Sequence, residues 1–73
     1  MNDAPRWEYK SVTLGGFVSK PKDEAIEATL NALGMQGWEA VNAYSHPNSS
    51  EVRVLLKRPL SEEAARRQRR SLA

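Results

Sequence analysis

The stretch NALGMQGWEAV, residues 31–41, decides the fold. Upstream of it Ile26, Leu30 and Leu33 recur at helical spacing with Ala25 and Thr29 beside them, while Lys22, Glu24, Glu27 and Asn31 fall largely outside that stripe. A helix with one apolar side therefore runs into the stretch. Ser19, Pro21 and Asp23 all serve as start signals for it, and Asp23 and Glu24 place negative charge where the helix dipole favours it. Two glycines compete for its end. Gly34 can be the left-handed residue, but Gly37 fits better, because Leu30, Leu33, Gly34 and Gly37 then share one face. On that reading Gly34 lets the helix approach a sheet closely. Trp38, directly after the cap, folds back over the helix end and buries area worth about 2–3 kcal/mol.

Trp38 also opens the strand WEAVNAYS, residues 38–45, which ends at the turn cluster His46-Pro47-Asn48-Ser49-Ser50. In residues 51–58 Val52, Val54 and Leu56 alternate with Arg53, Leu55 and Lys57, a strand in which Leu55 interrupts the polar face and predicts that this face is partly covered. Pro59 removes a donor and ends it. Near the N-terminus RWEYKSVTL, residues 6–14, reads as a further strand. Trp7 and Tyr9 share one of its faces and Val12 and Leu14 the other, so either both faces are covered or a bulge near Lys10 or Ser11 shifts the phase. Gly15-Gly16 breaks it, and Phe17-Val18 follows as an apolar pair in a connection, suited to covering a core edge or meeting a second subunit.

The expected fold class is α+β: a βαββ unit with a three-stranded sheet and one helix on one face. If the strands flanking the helix are parallel, the right-handed crossover rule puts the helix on one side. The third strand lies either between the first two, order 1-3-2, or outside the second. The first is preferred, because Val52 to Leu56 is the most continuously apolar run. The face left uncovered is the expected dimer surface. Residues 1–60 form the compact βαββ domain and residues 61–73 a charged C-terminal helix or tail. Ser61 is positioned to cap that helix, and Glu62 with Arg66 and Glu63 with Arg67 are i,i+4 pairs in the favourable orientation. Arg69 and Arg70 remain unpaired. Its apolar residues Leu60, Ala64, Ala65 and Leu72 are mostly small, so it docks weakly or stays disordered.

A chain of 73 residues with no Cys and one His has neither disulfides nor a metal to secure a core that rarely supplies more than about 3–5 kcal/mol. Self-association is the remaining staple, and a homo-oligomer, dimer or higher, is expected. No apolar run approaches the roughly 18 residues of a membrane span, and MNDAPRWEYK lacks the apolar region of a signal peptide. A cytoplasmic location follows as an expectation. Through Leu60 seven Lys or Arg balance seven Asp or Glu, and the net charge of +2 lies wholly in the tail. The body is not the basic one of a dedicated nucleic-acid binder.

Trp7-Glu8-Tyr9-Lys10, then Leu30-Asn31-Ala32-Leu33-Gly34, Gly37-Trp38-Glu39 and Lys57-Arg58-Pro59-Leu60 form a pattern over residues 6–60. It resembles a family of small bacterial and phage proteins classed as a domain of unknown function. Ala40 and Leu56 depart from that pattern, where a larger aliphatic and an aromatic are common. The resemblance implies a compact βαββ domain and transfers no activity and no catalytic residues.

For enzyme chemistry the sequence provides little. His46 stands in a Pro-Asn-Ser turn with Ser45, Ser49 and Ser50 near it, without the third, orienting group that a nucleophile and base require. Glu8 and Glu39 can be neighbours on strands, but a working carboxylate pair needs a cleft. No metal-ligand spacing is present, and no cofactor is called for. The candidate nucleic-acid contacts are Arg66, Arg67, Arg69 and Arg70, with Lys57 and Arg58 adjacent in sequence; against them stand two Glu partners and the usual solvated character of a short charged tail. The candidate interface is Trp7, Tyr9, Phe17, Val18, Tyr44 and Leu55. The leading expectation is thus a self-associating protein-interaction module without catalytic activity, with a second protein captured by the tail helix as an extension. Nucleic-acid binding through the tail, or a small ligand between Trp7, Tyr9 and Tyr44 at a subunit interface, are the alternatives.

Overall fold

In the computed structural model, which describes residues 6–16 and 19–72, strand β1 spans Trp7–Leu14, helix α1 Asp23–Gly34, strand β2 Glu39–Ser45, strand β3 Val52–Pro59 and helix α2 Glu62–Leu72. Phe17 and Val18 of the expected interface lie outside the described residues. The sheet has the order β1-β3-β2, with β3 antiparallel to both neighbours. The α+β class and the 1-3-2 order expected from the apolar run in β3 are observed. Val54 and Leu56 of this central strand are buried together with Trp38, and Val12, Leu14, Leu30, Leu33 and Val52 pack around them.

The pairing of β1 with β3 runs unbroken from Trp7 opposite Pro59 to Leu14 opposite Val52. No bulge shifts the phase near Lys10 or Ser11, and the other explanation, two covered faces, does not hold either: exposure alternates along β1, with Trp7, Tyr9, Ser11 and Thr13 outward. The register slip lies instead in β2, between Ala40 and Asn42, where Val41 is the extra residue. β2 is an edge strand, the usual place for a bulge.

Helix α1 lays Ile26, Thr29, Leu30 and Leu33 toward the sheet, each half-buried, whereas Ala25 is exposed and outside the stripe. Lys22 is the N-cap and makes no side-chain cap bond, so neither Ser19 nor Asp23 caps the helix; Asp23 and Glu24 instead occupy its first turn. The end is a Schellman arrangement. Trp38 N donates to Leu33 O at 3.1 Å and Gly37 N to Gly34 O at 2.9 Å, with Gly37 at φ +91°. Gly37 is the left-handed residue, as its place on the stripe predicts. Gly34 does not mediate a close approach: a Cβ there would meet nothing within 4 Å.

Beyond β3 the chain stays tied to the sheet, since Leu60 N donates to Arg6 O at 2.9 Å. Ser61 caps α2, its hydroxyl accepting from Ala64 N at 3.0 Å. Ala64 and Ala65 are buried, within a regular helix over Glu62–Leu72. Glu63 pairs with Arg67 at 3.2 Å as expected, but Glu62 reaches Arg6 at 3.9 Å rather than Arg66. Among the described residues no helix is long and apolar enough to cross a membrane.

Candidate functional site

Strand alternation sorts the polar and aromatic residues of this sheet onto two very different faces. On the side of α1, Trp38 is 8% exposed and has two cations near its ring. The Arg58 guanidinium carbon lies 4.3 Å from its ring centroid and Lys10 Nζ 5.0 Å. Arg58 Nε donates to Glu8, and Arg58 Nη1 donates to the Gln36 carbonyl at 2.8 Å. Arg58 therefore joins β1, β3 and the turn that closes α1. The Trp38 indole nitrogen is buried without a partner. Sequence reasoning missed this clamp, although Glu8 and Lys10 share a strand face with Val12 and Leu14, which is the signal that would have found it.

The opposite face is open. Tyr9 pairs with Lys57, Ser11 with Leu55 and Thr13 with Arg53; Glu39, Asn42 and Tyr44 extend the same rows on β2. Trp7, Tyr9, Tyr44 and Leu55 from the sequence-based interface set all lie here, 38%, 62%, 57% and 37% exposed. Lys57 Nζ sits 4.2 Å from the Trp7 ring centroid. Within one chain β3 runs between Trp7 and Tyr9 on β1 and Tyr44 on β2. Nor do Glu8 and Glu39 form a carboxylate pair: Glu8 lies on the clamp side with Arg58, and Glu39 on the open side opposite Lys57.

His46, Ser49 and Glu51 stand with Tyr44 and Arg53 around an open groove of about 430 Å³ at the turn end of the hairpin. The Ser49 hydroxyl accepts the Glu51 amide at 3.0 Å, and among the described residues His46 holds no bond to a hydroxyl that it would activate. No group of three or more His, Cys, Asp or Glu is placed to hold a metal among the described residues. The arginines Arg66, Arg67, Arg69 and Arg70 are all exposed on α2, with Arg67 engaged by Glu63.

These features define a small α+β domain in which a half-buried polar cluster around Trp38 ties β1, β3 and the end of α1 together, while Trp7, Tyr9, Tyr44 and Leu55 stay exposed on the opposite sheet face. The chain belongs to the family described as a domain of unknown function, DUF4177, whose model matches residues 7–59. The match spans all three strands and α1 and stops before α2. Neither the curated proteins nor the solved structures compared with the chain contain a match.

Proposed function

We propose that this protein is a non-catalytic interaction module whose first partner is a second copy of itself, engaged through the open sheet face. The observation that carries this reading is the grouping of exposed Trp7, Tyr9, Leu55 and Tyr44 on the side of the sheet opposite α1. A contiguous exposed set of large apolar side chains marks an interaction surface, and aromatic side chains are favoured at the centres of such surfaces. Three strands of seven or eight residues project onto roughly 14 × 26 Å. Doubled over two copies, that area falls below the roughly 1,200–2,000 Å² of standard interfaces, so the association is weak and reverses on dilution. Glu39 supplies a countercharge for Lys57 of a second copy.

Sedimentation velocity of the full chain over a wide concentration range tests this. The weight-average mass is expected to rise from monomer toward dimer, and Leu55→Glu, which places a charge at the middle of the face, is expected to shift the midpoint at least about tenfold, the equivalent of 1.4 kcal/mol. A monomer at every concentration sinks the reading.

The exposed Arg66, Arg69 and Arg70 of α2 support a second reading, phosphate contact with nucleic acid. It entails binding that weakens steeply with salt and is lost when these three residues become Gln. Equal binding by the parent and the triple variant removes α2 from the account.

A further inference from the structure

The groove at the turn end of the β2–β3 hairpin has the make-up of a ligand site, and its walls are held in place. Tyr44 and Arg53 are direct cross-strand neighbours on the open face, and His46, Ser49 and Glu51 complete the lining of a space of about 430 Å³. This lies within the roughly 300–1,000 Å³ typical of small-molecule sites. Ser49 N donates to His46 O at 3.1 Å, and Ser49 Oγ accepts from Glu51 N at 3.0 Å. The turn is also pinned from behind. Ser50 Oγ donates to the Gly16 carbonyl. Gly15, at φ +102°, comes so near that a Cβ would fall 2.7 Å from Ser50 O and 2.8 Å from Pro21 Cδ. The hairpin end is thereby fastened to the connection between β1 and α1, which spares a ligand much of the ordering cost of binding.

Among the described residues, the side chains of His46, Glu51 and Arg53 have neither an ion pair nor a hydrogen-bond partner. A cation, an imidazole, a carboxylate and a phenol ring thus stand around one space with their bonding capacity unspent. A bare anion would satisfy Arg53 and be repelled by Glu51, so the fitting ligand carries both a negative group and neutral donors. We infer that the groove binds a ribonucleotide. Its phosphate takes the fork of the Arg53 guanidinium, with His46 as a second donor. The base stacks on the Tyr44 ring, and the paired ribose hydroxyls donate to the Glu51 carboxylate, a group that accepts at two oxygens. Glu51 and Arg53 are two residues apart, at most about 7 Å along the chain, which suits the span from a 5′-phosphate to the ribose hydroxyls.

Two sources share this chemistry: a free nucleotide and one unit of a single-stranded RNA, whose neighbouring units would extend over Lys57, Tyr9 and Trp7 along the same face. All five lining residues come from one chain, so the site is complete in a monomer; Tyr44 and Arg53 also lie on the face proposed to meet a second copy, so ligand and dimer compete for them, and ligand is expected to shift the oligomeric state toward monomer.

The test is an amide-resolved NMR titration of the full-length protein with uridine and adenosine 5′-monophosphates, their deoxy counterparts, inorganic phosphate and a short oligouridylate, with oligomeric state followed in the same samples. The expected result is a set of shifts centred on residues 44–53 with a Kd of about 1 mM for the ribonucleotide. Tyr44→Ala and Arg53→Gln, both at exposed positions, each weaken binding about tenfold. Glu51→Gln abolishes the preference for ribose over deoxyribose and leaves the spectrum outside the groove unchanged. Tighter binding of the oligomer than of the monomer assigns the site to RNA, and equal binding per phosphate assigns it to free nucleotides; either supports the site. No groove shift at about 10 mM ribonucleotide overturns it. Shifts reproduced in full by inorganic phosphate and indifferent to Tyr44→Ala overturn it as well.

Discussion

Trp7 and Trp38 stand on opposite faces of one sheet, and each has a cation over its ring, Lys57 at 4.2 Å and Arg58 at 4.3 Å. The local chemistry is nearly the same and the consequence differs. Trp38 is 8% exposed and Trp7 38%. Arg58 is further fixed by Glu8 and the Gln36 carbonyl, whereas among the described residues Lys57 has only the ring. A cation over an aromatic ring becomes part of the fold when burial and hydrogen bonds hold it there. Without them it remains an adaptable surface pair worth about 0.5–1 kcal/mol. Glu8, Lys10, Trp38 and Arg58 thus account for structure, and the open face is where function has room.

The largest expected effect comes from exchanging the two tryptophans in turn. Trp38→Ala removes a ring from the main buried cluster and is expected to cost about 3–5 kcal/mol, as much as a core of this size supplies. It should leave the chain unfolded at 25 °C, and Trp38→Phe keeps a measurable transition by retaining most of the packing. Trp7→Ala should cost no more than about 1 kcal/mol at low protein concentration. Urea unfolding of the variants decides it. Equal losses at the two positions in dilute solution would show that the open face is not open. A loss at Trp7 that grows with protein concentration would sharpen the comparison, because it places that ring in the dimer.

A middle-sized effect is expected for the polar members of each face. The Glu8 and Arg58 side chains are 13% and 29% exposed, so Glu8→Gln leaves a largely desolvated guanidinium short of its countercharge and should cost about 1–3 kcal/mol. Lys57→Ala, on the open face, should fall below about 1 kcal/mol. Thermal unfolding at low and high salt separates the two further, since a partly buried pair is screened less than an exposed one. If both substitutions prove equally mild, the clamp is a surface ion pair and the contrast between the faces fails.

Much of this architecture is readable from residue order. The 3.6-residue stripe through Ile26, Leu30 and Leu33 and the two-residue alternation through Val52, Val54 and Leu56 are local signals, and the apolar run of β3 is enough to make it central. What escaped reading is set by pairing between distant segments. The slip at Val41 exists only relative to β3, and the Glu8–Arg58 pair links positions 50 apart. Trp7 and Tyr9 obscured the phase of β1 because large aromatics were assumed to need cover, when here they lie on the open side. The groove has the same origin: His46, Ser49 and Glu51 are neighbours in sequence, but only the hairpin register sets Tyr44 against Arg53, and only the approach of Gly15 to Ser50 shows that the turn is held.

The smallest predicted effects lie at the entrance to the buried face, where two glycines three residues apart should respond with opposite signs. Gly37 has φ +91°, and its NH and that of Trp38 close the Schellman bonds that turn the indole back onto the helix. A Cβ there has room, the nearest atom being Arg58 Cδ at 3.9 Å, so Gly37→Ala is opposed by backbone strain alone, about 1–2 kcal/mol. Gly34 is the last residue of α1 and has empty space where a Cβ would go. Gly34→Ala therefore meets no clash and reduces the freedom of the unfolded chain, a gain of about 0.4–1 kcal/mol. In a domain this small that corresponds to a rise in Tm of a few degrees. Melting curves of both variants, recorded at one low protein concentration, isolate the backbone effect from any association. A destabilised Gly34→Ala would mean that the helix end packs against something beyond the single chain.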